Sequence, residues 1–326
     1  MENRGIIVGN QLPNARRRAL YRSVEKGHAF RLATGIFITM EDWQAATKKQ
    51  RWLMRIAAHQ MSLPDSVVLG AAAAASSGIA VHRAAFDSVI HLGFRARSRP
   101  RPRPGVKFHR VPSAVLAQAV TVNQDGVEVS TCNPADAVMS VACFQDLTSG
   151  LISAESASNQ RIVGYSDLLA AATRFRGRPG ARSLGKLVQL AGPWSESPRE
   201  TELKLMFRHY GFPEPLQQVE IFDAADGFVA RVDFFFREAG LIVEYEGAAK
   251  TAGPGGQRTA VHELERARNL HNLGFVIRHV RAEEFRQPST FTELKELYFK
   301  LCARGAAPDP RLWRLPLTPQ QWDHVY

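Results

Sequence analysis

Cysteine is scarce in this chain. There are three in 326 residues, Cys132, Cys143 and Cys302, with no paired spacing, and the ten histidines include no H-x-x-x-H pair. A structural zinc site needs clustered soft or borderline ligands and a disulfide framework needs an even set, so both are excluded. Long apolar runs are also missing. The best candidate, 67–75, is short and mostly alanine, far from the roughly 20 residues that cross a bilayer. The opening Met-Glu-Asn-Arg-Gly lacks the charged-then-apolar pattern of a secretory signal, so the expectation is a cytoplasmic protein with reduced thiols and no membrane partner. Acidic residues are rare in the front half. Residues 1–194 carry 25 Lys and Arg against 12 Asp and Glu, a balance of +13, while residues 195–326 carry 17 against 19, a balance of −2. A basic front half favours a polyanion such as DNA through phosphate neutralisation, although arginine-rich surfaces also occur without one.

What is present divides the chain in the same place. Residues 12–40 read as a helix pair followed by a hairpin: a helix opens near Pro13, Gly27 breaks it, and two short strands alternate around Gly35. That order predicts a small winged helix-turn-helix over 8–60, with Arg16, Arg17, Arg18 and Arg31 directed at nucleic acid. Helices are predicted over 44–61 and 67–75, strands over 88–94, 106–111, 120–123 and 127–130, and a helix over 134–142. Together they make an α+β unit over 61–192. The segment Arg176-Gly-Arg-Pro179 matches the core of a minor-groove AT-hook, with Arg176 and Arg178 as the inserting residues; a solvated loop is the bland alternative. The stretch from Arg174 to Ser197 is the expected domain boundary. Beyond it Ser197-Pro-Arg-Glu200 is a capping-box start, and the order αβββαβα over 197–302 predicts a mixed sheet flanked by helices. The tail, 303–326, has no assigned role.

Three carboxylates stand inside an otherwise apolar hairpin, Arg231-Val-Asp-Phe-Phe-Phe-Arg-Glu-Ala-Gly-Leu-Ile-Val-Glu-Tyr-Glu246. With the turn centred on Glu238-Ala239, Phe236 faces Leu241 and Asp233 falls opposite Glu244. Strand alternation then adds Glu246 to the face of Glu244. Like charges about 5 Å apart across a ladder destabilise it unless something offsets them. A hard divalent cation, Mg²⁺ or Mn²⁺, would do so on Asp233 and Glu244; ion pairs with Arg231, Lys250 or Arg268 are the alternative.

Glu200, Asp233, Glu244-Tyr-Glu246-Gly and the stretch from Arg268 to Arg278 resemble the PD-(D/E)XK nuclease fold. More narrowly they resemble domain-of-unknown-function family 559, related to very-short-patch-repair endonucleases. Residues 8–192 are similar to the AbiEi-type antitoxin with its winged helix. The resemblance implies a restriction-endonuclease-like sheet and a Mg²⁺- or Mn²⁺-dependent DNA endonuclease of defence or repair. Asp233 and Glu244 would hold the metal, Glu200 would be an accessory acid, and His262 and Arg268 would contact the scissile phosphate. At Glu246 the wider superfamily often has lysine, and Lys250 would supply the missing cation. The alternative is a DNA-binding antitoxin or autoregulator with a silent nuclease-like domain, partnered by a cognate toxin or a second copy of itself.

Overall fold

Alternating apolar residues on either side of Gly35 build the first hairpin, β2 (Ala29–Ala33) and β3 (Ile36–Thr39), and β1 (Ile6–Val8) pairs antiparallel with β3 so that Ile6 faces Ile38. The computed structural model describes residues 5–83, 89–95, 100–246 and 256–316, and the chain divides into two units, Met1–Ala191 and Gly192–Tyr326. One helix, α1 (Asn14–Glu25), precedes the hairpin where the sequence predicts two. Its C-terminal turn closes at Gly27, whose φ of +74° suits glycine, and the chain passes directly into β2. The predicted helix over 44–61 is likewise divided. Thr39 caps α2 (Met40–Ala45), and Thr47 with Gln50 forms a reciprocal capping box that starts α3 (Lys48–Met61) afresh.

A second sheet completes this unit, ordered β6-β5-β4-β8-β7. Its strands are β4 (Val67–Leu69), β5 (Ile90–Phe94), β6 (Val106–Arg110), β7 (Val120–Gln124) and β8 (Val127–Thr131), interspersed with α4 (Gly70–Ser76) and α5 (Ser113–Ala117). The first three residues of the predicted 67–75 helix form the central strand instead, because Val67, Val68 and Leu69 are buried between two neighbouring strands; Gly70, at φ +65°, then turns the chain into α4. Asp125 and Gly126, both at positive φ, make the tight turn between β7 and β8. Four helices follow, α6 (Pro134–Phe144), α7 (Leu147–Asn159), α8 (Tyr165–Phe175) and α9 (Leu184–Leu190).

The second unit is a mixed sheet between helices. α10 (Pro198–His209) leads to β9 (Leu216–Phe222), β10 (Phe228–Phe236) and β11 (Leu241–Glu246), an antiparallel meander; α11 (Gly256–Asn272) then crosses over to β12 (Val276–Arg281), parallel to β11. α12 (Pro288–Ala303) follows, and β13 (Trp313–Arg314) pairs with β9 to give the order β12-β11-β10-β9-β13. Part of the unassigned tail thus closes a sheet edge, with Trp313 edge-on to Phe235. Trp322 and Tyr326 lie outside the described residues. On one sheet face Phe207 of α10 meets Phe234 and Phe236 edge-on, with Phe291 of α12 beside them; on the other, Phe235 and Ile242 meet Leu270 and Phe275. Each fully buried phenylalanine contributes about 1.5–3 kcal/mol of hydrophobic stabilisation.

Candidate functional site

Little of α1 is covered: Leu20 is its one buried residue, and Arg17 is drawn along the helix to Asn14 Oδ1 at 2.6 Å. Arg18, Arg22 and Lys26 are exposed and follow one another at four-residue spacing, with exposed Ala15 and Ala19 beside them. Residues so spaced share one helix face, and the small alanines leave room for a backbone to approach. Arg16 is also exposed but stands roughly 200° around the helix from Arg18, so the Arg16-Arg17-Arg18 run points three ways. Arg31 is exposed on β2. Arg176 and Arg178 belong to a chain of turns. The N–H of Arg178 bonds to Phe175 O, that of Ala181 bonds to Arg178 O, and Gly177 and Gly180 take φ of +76° and +82°. An AT-hook inserts as an extended strand, and this segment is folded; Arg178 leans on Arg110 O at 3.4 Å while Arg176 is exposed.

In the acidic hairpin the register runs Phe236↔Leu241, Phe235↔Ile242, Phe234↔Val243, as turn chemistry predicts. β10, however, departs from the strict alternation on which the predicted common face rests. Ala230 and Val232 pack on the α11 side of the sheet, whereas Phe234 and Phe236 pack on the α10–α12 side, so β10 exchanges faces at Asp233. β9 carries the matching irregularity: Val232 pairs with Val219 and Phe234 with Gln217, which leaves Gln218, at φ +54°, opposite Asp233. An extra residue at the same level in both strands keeps the pairing in step while it turns the side chains over. Asp233 Oδ2 accepts the N–H of Tyr245 at 3.2 Å, and its charge bears on Glu200 of α10. β11 keeps strict alternation. Leu241 and Val243 face α10 and α12, Ile242 faces α11, and Glu244 and Glu246 follow Ile242.

Glu200 is 7% exposed and stands in the first turn of α10, whose N-cap is Ser197. It accepts from Ser197 Oγ at 2.7 Å, from the N–H of Glu196 at 2.8 Å and from Gln218 Nε2 at 3.3 Å. Burial, and after it the charge of Asp233, pushes its pKa from 4.5 up to about 7. The folded protein therefore holds this proton across a window in which the unfolded chain has released it. Stability is greatest below pH 4.5 and falls as pH rises to about 7, by roughly 3 kcal/mol for this group. Glu200→Gln should remove that component. Urea titrations at pH 5 and pH 8 should show a loss smaller by about that amount in the variant; equal losses would mean that Glu200 is not the titrating group.

Glu244, 9% exposed, is held by Arg266 of α11. Arg266 donates from Nη2 to Oε1 and from Nη1 to Oε2 at 3.0 Å, and also to Arg231 O at 3.3 Å and Glu263 Oε2 at 3.2 Å. His279, the cross-strand neighbour of Glu244 on β12, lies 3.7 Å from Oε2. Glu246 pairs at the surface with its own neighbour Arg281 at 3.1 Å. His262 and Arg268 are both exposed on α11; His262 lies 3.7 Å from Glu265. Lys250 falls outside the described residues.

These residues do not fit the Mg²⁺ or Mn²⁺ that the nuclease resemblance implies. Both oxygens of Glu244 are bonded to a guanidinium, Asp233 accepts the N–H of Tyr245, and among the described residues no three His, Cys, Asp or Glu side chains converge to hold a metal ion. Arg266, His279 and Gln218 are the site residues the sequence does not reveal. Only the i,i+3 pairing of Glu263 with Arg266 is visible there. Among the described residues no helix is long and apolar enough to cross a membrane. No known protein family matches the sequence, and comparison with curated proteins finds no match.

Proposed function

We propose that this chain is a DNA-binding protein, in the manner of an antitoxin or autoregulator, whose second unit keeps a nuclease-like sheet without metal-dependent cleavage. The observation that carries the binding half is the exposed face of α1, where Arg18, Arg22 and Lys26 form a stripe of positive charge over small residues. Such a face neutralises phosphates, and each neutralised phosphate steepens the salt dependence of binding. Arg31, on the hairpin that would serve as the wing, and Arg16 would add backbone contacts from the flanks. Silence of the second unit is supported by Arg266, which satisfies the carboxylate that a metal would need.

Fluorescence anisotropy on duplex DNA tests the binding half. The triple variant Arg18→Ala, Arg22→Ala, Lys26→Ala should flatten the slope of log K against log salt by roughly 2–3, at about 0.9 per phosphate contact. An unchanged slope removes α1 from the interface. A metal-dependent endonuclease stays as the second reading because the charge of Asp233 bears on Glu200, an arrangement also found among catalytic carboxylates. Supercoiled, nicked, mismatched and single-stranded DNA incubated with Mg²⁺ or Mn²⁺ separates the two. Cleavage above that of Asp233→Ala would establish the endonuclease; none is expected.

A further inference from the structure

Cationic charge at a buried carboxylate has two interchangeable sources, a metal ion and a guanidinium. We infer that Arg266 is the built-in cation of this site and fills the space a divalent ion would otherwise take on Glu244, an inference that rests on the non-cleaving reading above. The groups gathered around the guanidinium are those of a hard-metal site. Glu244 and Glu263 offer carboxylate oxygens, Arg231 offers a main-chain carbonyl, and His279 stands on the far side of Glu244. Each touches Arg266 or Glu244 within 4 Å, and together they come from β10, β11, β12 and α11.

Three features separate this arrangement from an ordinary surface ion pair. Glu244 is nearly buried and bonded through both oxygens, so its charge needs a partner fixed in place. Arg266 also donates to the main-chain carbonyl of Arg231, which ties the guanidinium to the sheet as well as to the acid. The guanidinium also holds its ligands apart at the spacing of its own nitrogens, which is wider than a single ion needs. Two carboxylates and a carbonyl thus surround one cation, while among the described residues no three His, Cys, Asp or Glu side chains converge. Removing the arginine would leave two carboxylates and a main-chain carbonyl facing the space it occupied. Oxygen ligands of this kind take Mn²⁺ or Mg²⁺.

The test uses the full chain as wild type, Arg266→Ala, and Arg266→Ala combined with Glu263→Ala. Mn²⁺ binding is read from loss of the free-ion signal in electron paramagnetic resonance, and folding from circular dichroism during heating with Mn²⁺, Mg²⁺ or EDTA. Wild type should melt at the same temperature in all three and show no Mn²⁺ binding. Arg266→Ala should bind one Mn²⁺ at least tenfold more tightly than wild type and melt higher in Mn²⁺ than in EDTA; loss of Glu263 should weaken that binding. Should Arg266→Ala be unfolded in EDTA, recovery of its spectrum in millimolar Mn²⁺ supports the inference and persistent unfolding overturns it. A folded Arg266→Ala that ignores Mn²⁺ also overturns it and leaves the non-cleaving reading intact. Tight Mn²⁺ binding by wild type would instead overturn both.

Discussion

Arg266→Met should cost the second unit about 3–5 kcal/mol, and Glu244→Leu made in the same chain should restore most of that loss. The single variant leaves a nearly buried carboxylate without its guanidinium and Arg231 O without its donor. The double variant removes the charge that needs a partner and puts two apolar side chains of similar volume against Ile242 and the α11 face of the sheet. The Arg231 carbonyl and Glu263 still lose their bonds to the guanidinium, at about 1 kcal/mol each, so recovery falls short of complete. Urea denaturation of the four corners of this double-mutant cycle measures the coupling directly. If the double variant is as unstable as the sum of the singles, Arg266 and Glu244 are independent and the argument for a built-in cation loses its energetic basis.

Gly180→Ala should destabilise the first unit by about 3 kcal/mol or more, and Gly177→Ala by about 1–2. Both glycines occupy left-handed backbone, at φ +82° and +76°, so the conformational penalty is common to the pair. What differs is space. A methyl group on Gly180 would sit 2.1 Å from the carbonyl oxygen of Cys143, at the end of α6, whereas one on Gly177 meets nothing within 4 Å. A backbone carbonyl cannot rotate away as a side chain can, so the turn or the helix end must move. Thermal melts of the two variants isolate the clash, and similar losses would show that the close approach is relaxed in solution. The comparison also bears on the Gly-Arg-Pro segment: Gly180 closes a tight turn against α6, and Arg178 lies within that turn between the two glycines.

The amount legible in the sequence differed from one element to the next. The hairpin of β10 and β11 was readable to the residue, because the polar turn Arg-Glu-Ala-Gly and the period of two leave one register that buries the phenylalanines. The start of α10 was readable from Ser197 and Glu200, since a cap is a local device. Val67–Leu69 was misread as helix because three buried apolar residues beside an alanine run carry no period of their own; the neighbouring strands, far off in sequence, decide it. The second helix expected before the first hairpin does not form, because the break at Gly27, legible in the sequence, leads straight into β2.

The sequence by itself determined the basic front half, the acidic hairpin, its register and the helices that flank the second sheet, because charge, turn chemistry and periodicity act within a few residues. Tertiary structure alone decided which partner each carboxylate takes. Alternation by itself does not foresee the level of Gln218 and Asp233, where β10 exchanges faces while its pairing with β9 stays in step. A residue added to two strands at once leaves the register unchanged and so leaves no trace in it. The partner of Glu244 was hidden for a related reason: Arg266 reaches it from a helix 22 residues away, along a crossover whose direction is fixed by the parallel pairing of β11 with β12.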